Sequence, residues 1–276
     1  MKKSWYSFSV ILFALFLSGC QPQERSQPSD QQQTESTSVQ SEKRQEASPE
    51  EKTASWEFDG EQWKAMSSVP SCPEPLVMES LIDIALVSSV LYPGQYRGGD
   101  YKPHGGFRFD GKKPEDITVK APLDARLTLG SRYIEQGEIQ YLLWFENSCG
   151  IVYRFDHLLT LAPAMQKLVD NLPQALPDDS RTTRFATSVE VKAGDVIATA
   201  VGFAKSQNVG FDLGVYDLRQ PNTASKNKSF AKKHEAYQEQ TFYAVCWFDL
   251  LSSDIAQKIR SLPAVGIEGK TSDYCL

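Results

Sequence analysis

His104, His157 and His234 are the only imidazoles in the 276 residues, so chemistry that needs histidine has few possible arrangements. His104-Gly105-Gly106-Phe107-Arg108-Phe109-Asp110 reads as a short strand. Period-two geometry puts His104, Gly106, Arg108 and Asp110 on one face, with Phe107 and Phe109 on the other. Phe211-Asp212-Leu213-Gly214-Val215-Tyr216 repeats that alternation, with Asp212, Gly214 and Tyr216 opposite three apolar side chains. His157 ends a third run whose same-face residues are Ile151, Tyr153 and Phe155. Two imidazoles and one carboxylate, Asp110 or Asp212, are a donor set that catalytic zinc accepts. Arg108 points to different chemistry. A guanidinium about 4 Å from a dication repels it by roughly 8 kcal/mol at an effective dielectric near 20, and it does not lose its proton. It offers instead a planar fork for a carboxylate, from Asp110, Asp212 or a ligand.

The other reactive residue types are less suggestive. His234 lies in Lys232-Lys233-His234-Glu235 and is expected to be solvated. Gly98-Gly99 and Gly105-Gly106 fit neither phosphate-loop pattern and read as loop glycines beside a groove. Trp144 and Trp247 sit in apolar runs and read as core, while Trp56 and Trp63 stay open. Ser252-Ser253-Asp254, before an apolar helical pattern, reads as an N-cap. Cys72, Cys149, Cys246 and Cys275 are widely spread and have no zinc-type spacing. One or two disulfides are expected among them, in any of three pairings.

The chain around these residues divides into three parts. Residues 1–20 read as a bacterial lipoprotein signal peptide, with Lys2 and Lys3, an apolar run too short to span a membrane, and Leu17-Ser18-Gly19-Cys20. The tetrapeptide resembles a lipobox, which makes Cys20 the expected lipidation site. Gln21 after it favours an outer membrane facing the periplasm, if the envelope has two membranes. Residues 21–55 hold eight Gln and seven Ser with almost no aliphatic side chains, and read as a disordered tether. Residues 56–276 carry the core and a net charge of −5. That balance argues against nucleic-acid binding, and it leaves membrane attachment to the lipid.

Within residues 56–276 the pattern is mainly β. Strands are expected at residues 82–91, 104–109, 125–129, 140–146, 151–157, 189–191, 196–200 and 211–217. The pair 140–146 and 151–157 forms a hairpin around Asn147–Gly150. Helical patterning is peripheral, at residues 163–171, 224–239 and 250–262. Pro163 suits a first helical turn.

The order of these segments resembles the lysostaphin-type, or LytM-like, zinc peptidases that cleave cell walls. Val87 to Arg97 with His104-Gly105-Gly106-Phe107-Arg108-Phe109 resembles the entry to that domain. Val119-Lys120-Ala121-Pro122, Tyr153-Arg154-Phe155-Asp156-His157-Leu158, Val191-Lys192-Ala193-Gly194-Asp195-Val196-Ile197 and Phe211-Asp212-Leu213-Gly214-Val215-Tyr216 resemble its later motifs in order. The resemblance implies a mainly β, LytM-like antiparallel sheet or sandwich with peripheral helices, an insertion at 161–188 and an extension at 218–276. It places the zinc ligands of the family on His104, Arg108 and Gly214, and its two other histidines on His157 and Asp212. Three of those five positions have changed residue type, and with three histidines no H-x-H can exist in any register.

The resemblance therefore implies a groove lined by His104, Arg108, Asp110, His157, Asp212 and Tyr216, with His157 and Asp212 as catalytic remnants and no cofactor. The expected protein is a lipid-anchored, non-catalytic envelope domain that binds peptidoglycan or regulates a cell-wall hydrolase. The alternative is a zinc-dependent endopeptidase with a displaced ligand set, His104, Asp110 and His157.

Overall fold

A computed structural model describes residues 55–275. The expected signal peptide, Cys20 and most of the tether lie outside the described residues. Thirteen strands alternate with short helices. β1 (Trp56–Phe58) and β2 (Trp63–Ala65) make a two-stranded ribbon. Its turn is held by Asp59, whose carboxylate accepts the Glu61 and Gln62 amides. β3 (Ser89–Leu91) precedes a hairpin of β4 (Gln95–Arg97) and β5 (Asp100–Lys102). Gly98 and Gly99 form the hairpin tip at φ +61° and +91°, the conformation a tight two-residue turn demands. They belong to this tip and not to a groove.

β6 (Gly105–Arg108), β7 (Val119–Lys120), β8 (Ala125–Glu135), β9 (Glu138–Glu146) and β10 (Ile151–Leu161) follow. Helix α1 (Pro163–Val169) begins with Pro163 in its first turn and leads to β11 (Thr183–Val191), β12 (Val196–Val201) and β13 (Gly210–Asp217). The last stretch carries α2 (Lys228–His234), α3 (Gln238–Thr241) and α4 (Ser253–Ser261).

Nine of these strands form one mainly antiparallel sheet in the order β11-β8-β9-β10-β13-β6-β3, with β12 bridging β10 and β7. The fold is mainly β with peripheral helices. Strict alternation sends Phe107, Phe145, Tyr153, Phe155, Phe211 and Leu213 into a core on one face, where all are at most 1% exposed. Gly105 and Gly106 are not loop residues. Both lie in β6, where a Cβ at Gly106 would meet the Phe211 carbonyl at 2.5 Å and one at Gly105 would strike that of Leu91.

Both segments expected outside the family core belong to the sheet or its core. Residues 161–188 supply α1 and the first half of the edge strand β11. From residues 218–276, Trp247 packs on Phe107 at 4.9 Å and on Phe248 at 4.3 Å, and the Val245 amide bonds the Val215 carbonyl. The helix expected at 224–239 is broken into short turns. Ser252 takes the N-cap position of α4 without a side-chain hydrogen bond. Disulfides join Cys72 to Cys149 and Cys246 to Cys275. Among the described residues, no helix is long and apolar enough to cross a membrane.

Candidate functional site

The side chains that could do chemistry gather on the sheet face opposite the aromatic core. β13 pairs β6 with Asp212 beside Gly106, and it pairs β10 with Gly214 beside Arg154 and Asp212 beside Asp156. His104, one residue before β6, donates its Nε2–H to Asp212 Oδ2 at 3.0 Å. His157 brings its Nε2 to 4.0 Å from the same oxygen. Its Nδ1 lies 3.3 Å from the Tyr133 hydroxyl and 3.7 Å from Glu135 Oε2.

His157 reaches this face by a backbone device. Strict alternation from Ile151, Tyr153 and Phe155 would bury it in the core. Instead it has φ +61° at a β-bulge, where β10 leaves β13 and takes up β12. Its amide is held by Asp156 Oδ1 at 2.9 Å. A non-glycine residue in that region is uncommon and costs about 1–3 kcal/mol.

Arg154 occupies the centre of the set. It is 8% exposed, donates Nη2–H to Asp156 Oδ2 at 2.9 Å and lies 5.5 Å from the Trp144 ring centre. Asp156 also accepts the Tyr133 hydroxyl at 2.7 Å. Burial opposes the charge on Arg154, but Asp156, Tyr216 and Asp212 more than offset it and raise its pKa. Burial likewise lifts the Tyr133 phenol, with Asp156 adding to the effect. Arg97 braces the edge, donating to the carbonyls of Tyr92 and His104.

Asp212 and His104 share one proton. Burial would raise the Asp212 pKa, yet His104, His157 and Arg97 hold it well below the ordinary carboxylate range. Burial and the nearby Arg154 push His104 down to about 4 despite Asp212. At neutral pH the pair is an anionic carboxylate and a neutral imidazole, with the buried His104 Nδ1 left without a partner.

Not every expected residue joins this set. Asp110 is exposed and accepts from Ser88 Oγ at 2.8 Å, so the displaced set of His104, Asp110 and His157 does not assemble. Arg108 is half-buried over Gly210 and pairs with Asn208 Oδ1, not with Asp110 or Asp212. Among the described residues it makes no ion pair with a carboxylate. Tyr216 is 1% exposed, its hydroxyl near Gly214 and without a partner, and burial lifts its pKa to about 12.

His234 departs from expectation. It is 6% exposed, 4.0 Å from the Tyr101 ring and 4.6 Å from that of Phe230. The charged neighbours that suggested solvation occupy the outer side of α2. Trp247 is core, whereas Trp144 is half-buried and borders a cavity. Arg154, Asp156, Tyr133, Glu135 and Arg97 were not singled out from sequence. The one available signal was Val152-Arg154-Asp156, a charged pair at strand spacing on the face opposite Tyr153 and Phe155.

The fit to zinc depends on position 214. A Cβ there would meet the Tyr216 hydroxyl at 2.8 Å and Arg154 Cγ at 3.0 Å, so the space above Gly214 already holds a cation's stem. Asp212 is engaged by His104, and Arg97 and Arg154 both oppose a dication nearby. Among the described residues, no three His, Cys, Asp or Glu side chains are placed to hold a metal ion. Of the three ligand positions that the resemblance implies, only His104 carries a metal donor. Comparison with family models, with curated proteins and with solved structures finds no match.

Proposed function

We propose that this chain is a lipid-anchored envelope domain with a LytM-like fold that binds peptidoglycan or regulates a cell-wall hydrolase without cleaving it. The observation that carries this reading is Arg154 lying across Gly214. The position where the resemblance would place a metal-binding imidazole is occupied by the Arg154 stem and the Tyr216 hydroxyl. His104, Asp212 and His157 on one face of a mainly antiparallel sheet are the remnants that motivate the family reading. Arg108 supplies the contact. It is half-exposed, held in place at Nη2 by a neutral amide, and keeps its charge and its other N–H donors for a carboxylate on a wall peptide.

The test uses the purified full chain supplied with zinc, then assayed for bound metal, for cleavage of wall peptides and for binding to them. No cleavage is expected, with binding that depends on a free carboxylate. Arg108→Ala should weaken that binding by about 1.5–3 kcal/mol, roughly ten- to hundredfold, with little change in thermal stability. Stability lost with binding intact would make Arg108 a purely internal partner. Stoichiometric zinc with wall-peptide cleavage would establish the endopeptidase reading instead.

A further inference from the structure

A cavity of about 230 Å³ lies under the β1–β2 ribbon, on the sheet face away from the main core. Trp56 and Trp63 come from the ribbon, Trp144 and Glu146 from β9, Tyr216 from β13 and Arg184 from β11. Trp144 and Tyr216 stack at 5.3 Å and 24°. Two contacts seat the ribbon on the sheet. Trp63 Nε1 donates to the Glu239 carbonyl at 2.8 Å, and the Trp56 ring rests on Gly150, beside the Cys72–Cys149 bridge.

Aromatic rings at a sheet face are ordinarily core packing, but the polar atoms here do not fit that account. Trp56 Nε1, Trp144 Nε1, Glu146 Oε1 and the Tyr216 hydroxyl are all buried without a hydrogen-bond partner. Each such group costs free energy, so four in one lining need an explanation. The indoles can only donate, whereas the carboxylate oxygen accepts. An anion would answer only the indoles. A cation would answer only Glu146, which already faces Arg126 across the ladder and has Arg184 nearby. A hydroxyl answers both, because it donates and accepts. A ligand with a flat C–H face for the rings and several hydroxyls at its edge is a sugar.

We infer that this cavity is a binding site for a saccharide ring, stacked between the ribbon tryptophans and the Trp144–Tyr216 pair. The inference rests on the cavity alone and stands whether or not Arg108 reads wall peptides. The four orphan atoms are out of water's reach, so a sugar engages them by tilting the rings.

Three of the five tryptophans line the cavity, so intrinsic fluorescence of the full chain reads occupancy. The probes are soluble chito-, cello- and malto-oligosaccharides, with tetramethylammonium and sulfate beside them. At least one saccharide should give a saturable spectral shift, and neither ion should. Trp63→Ala should raise the saccharide concentration at half-saturation roughly tenfold or more, in protein that still unfolds cooperatively. Glu146→Gln, which keeps the shape of the side chain, should raise it severalfold. Silence with every saccharide overturns the inference, as does a shift with tetramethylammonium alone. A saccharide response that survives both substitutions places the sugar elsewhere and also overturns it.

Discussion

The shared proton of Asp212 and His104 makes a testable contribution to stability. The folded-state pKa of His104 is depressed from 6.5 to about 4, so between those values the unfolded chain binds the extra proton. Stability must therefore fall as pH is lowered through that window, by about 3 kcal/mol in total from this group. Burial lowers the His234 pKa too, which adds a loss of the same sign. The clean measurement is the difference between wild type and His104→Asn in urea unfolding at pH 7.5 and pH 5. The variant should show the weaker pH dependence, and parallel curves would mean that His104 titrates normally. Gly214→Ala is the second residue-scale test. Its methyl group meets a pinned Arg154 and should cost about 1–3 kcal/mol in urea unfolding. A neutral result would show that Arg154 can withdraw and leave room over Gly214. The sequence disclosed His104, Asp212 and Gly214 because alternation is local. It concealed Arg154 as the occupant of that space, because the contact joins two strands about sixty positions apart and depends on ladder register.

At the scale of elements, most strands followed from period-two patterning and the 147–150 turn from its residue types, but the run expected as a strand at 82–91 turns as a 3-10 helix at Ile84–Leu86 and is extended only over Ser89–Leu91. Within β10, what defeated the pattern was the bulge at His157. Its cause is a change of partner from β13 to β12, and nothing in Asp156-His157-Leu158 announces that. The ribbon was equally hidden. Trp56 and Trp63 sit in strands of three residues, too short for periodicity, and they are held by residues such as Tyr243, 180 positions away from Trp63. His234 failed for the same reason, since its aromatic neighbour Tyr101 comes from β5. The ribbon also depends on a covalent neighbour. Replacing Cys72 and Cys149 together by Ala should cost about 2–5 kcal/mol, the usual loss for a native disulfide. Because Trp56 rests on Gly150, the same variant should show altered tryptophan emission before it unfolds. Unchanged emission in folded protein would show that the ribbon docks without the bridge.

At the scale of the whole molecule, one sheet separates two apolar clusters. A large one lies behind the polar set, and a small one is built around Tyr216, Leu218, Tyr243 and Ala244. The proposed anchor is checked by labelling cells with a radioactive fatty acid. Label should enter the chain and be lost on Cys20→Ser, and persistent labelling would refute lipidation at that residue. The route from Trp63 to Cys72 is nine residues, so the ribbon is leashed at the spot where it lands, because Cys72 is bonded to the residue before Gly150. Nine residues reach at most about 30 Å. A detached ribbon therefore meets its own seat at an effective concentration on the order of millimolar, so the aromatic wall it supplies to the cavity is rebuilt after each opening. Affinity at the aromatic cavity is thus set partly by leash length. Adding residues between Ala65 and Cys72 would lower the share of molecules with that wall in place, and so weaken saccharide binding, without touching a single contact.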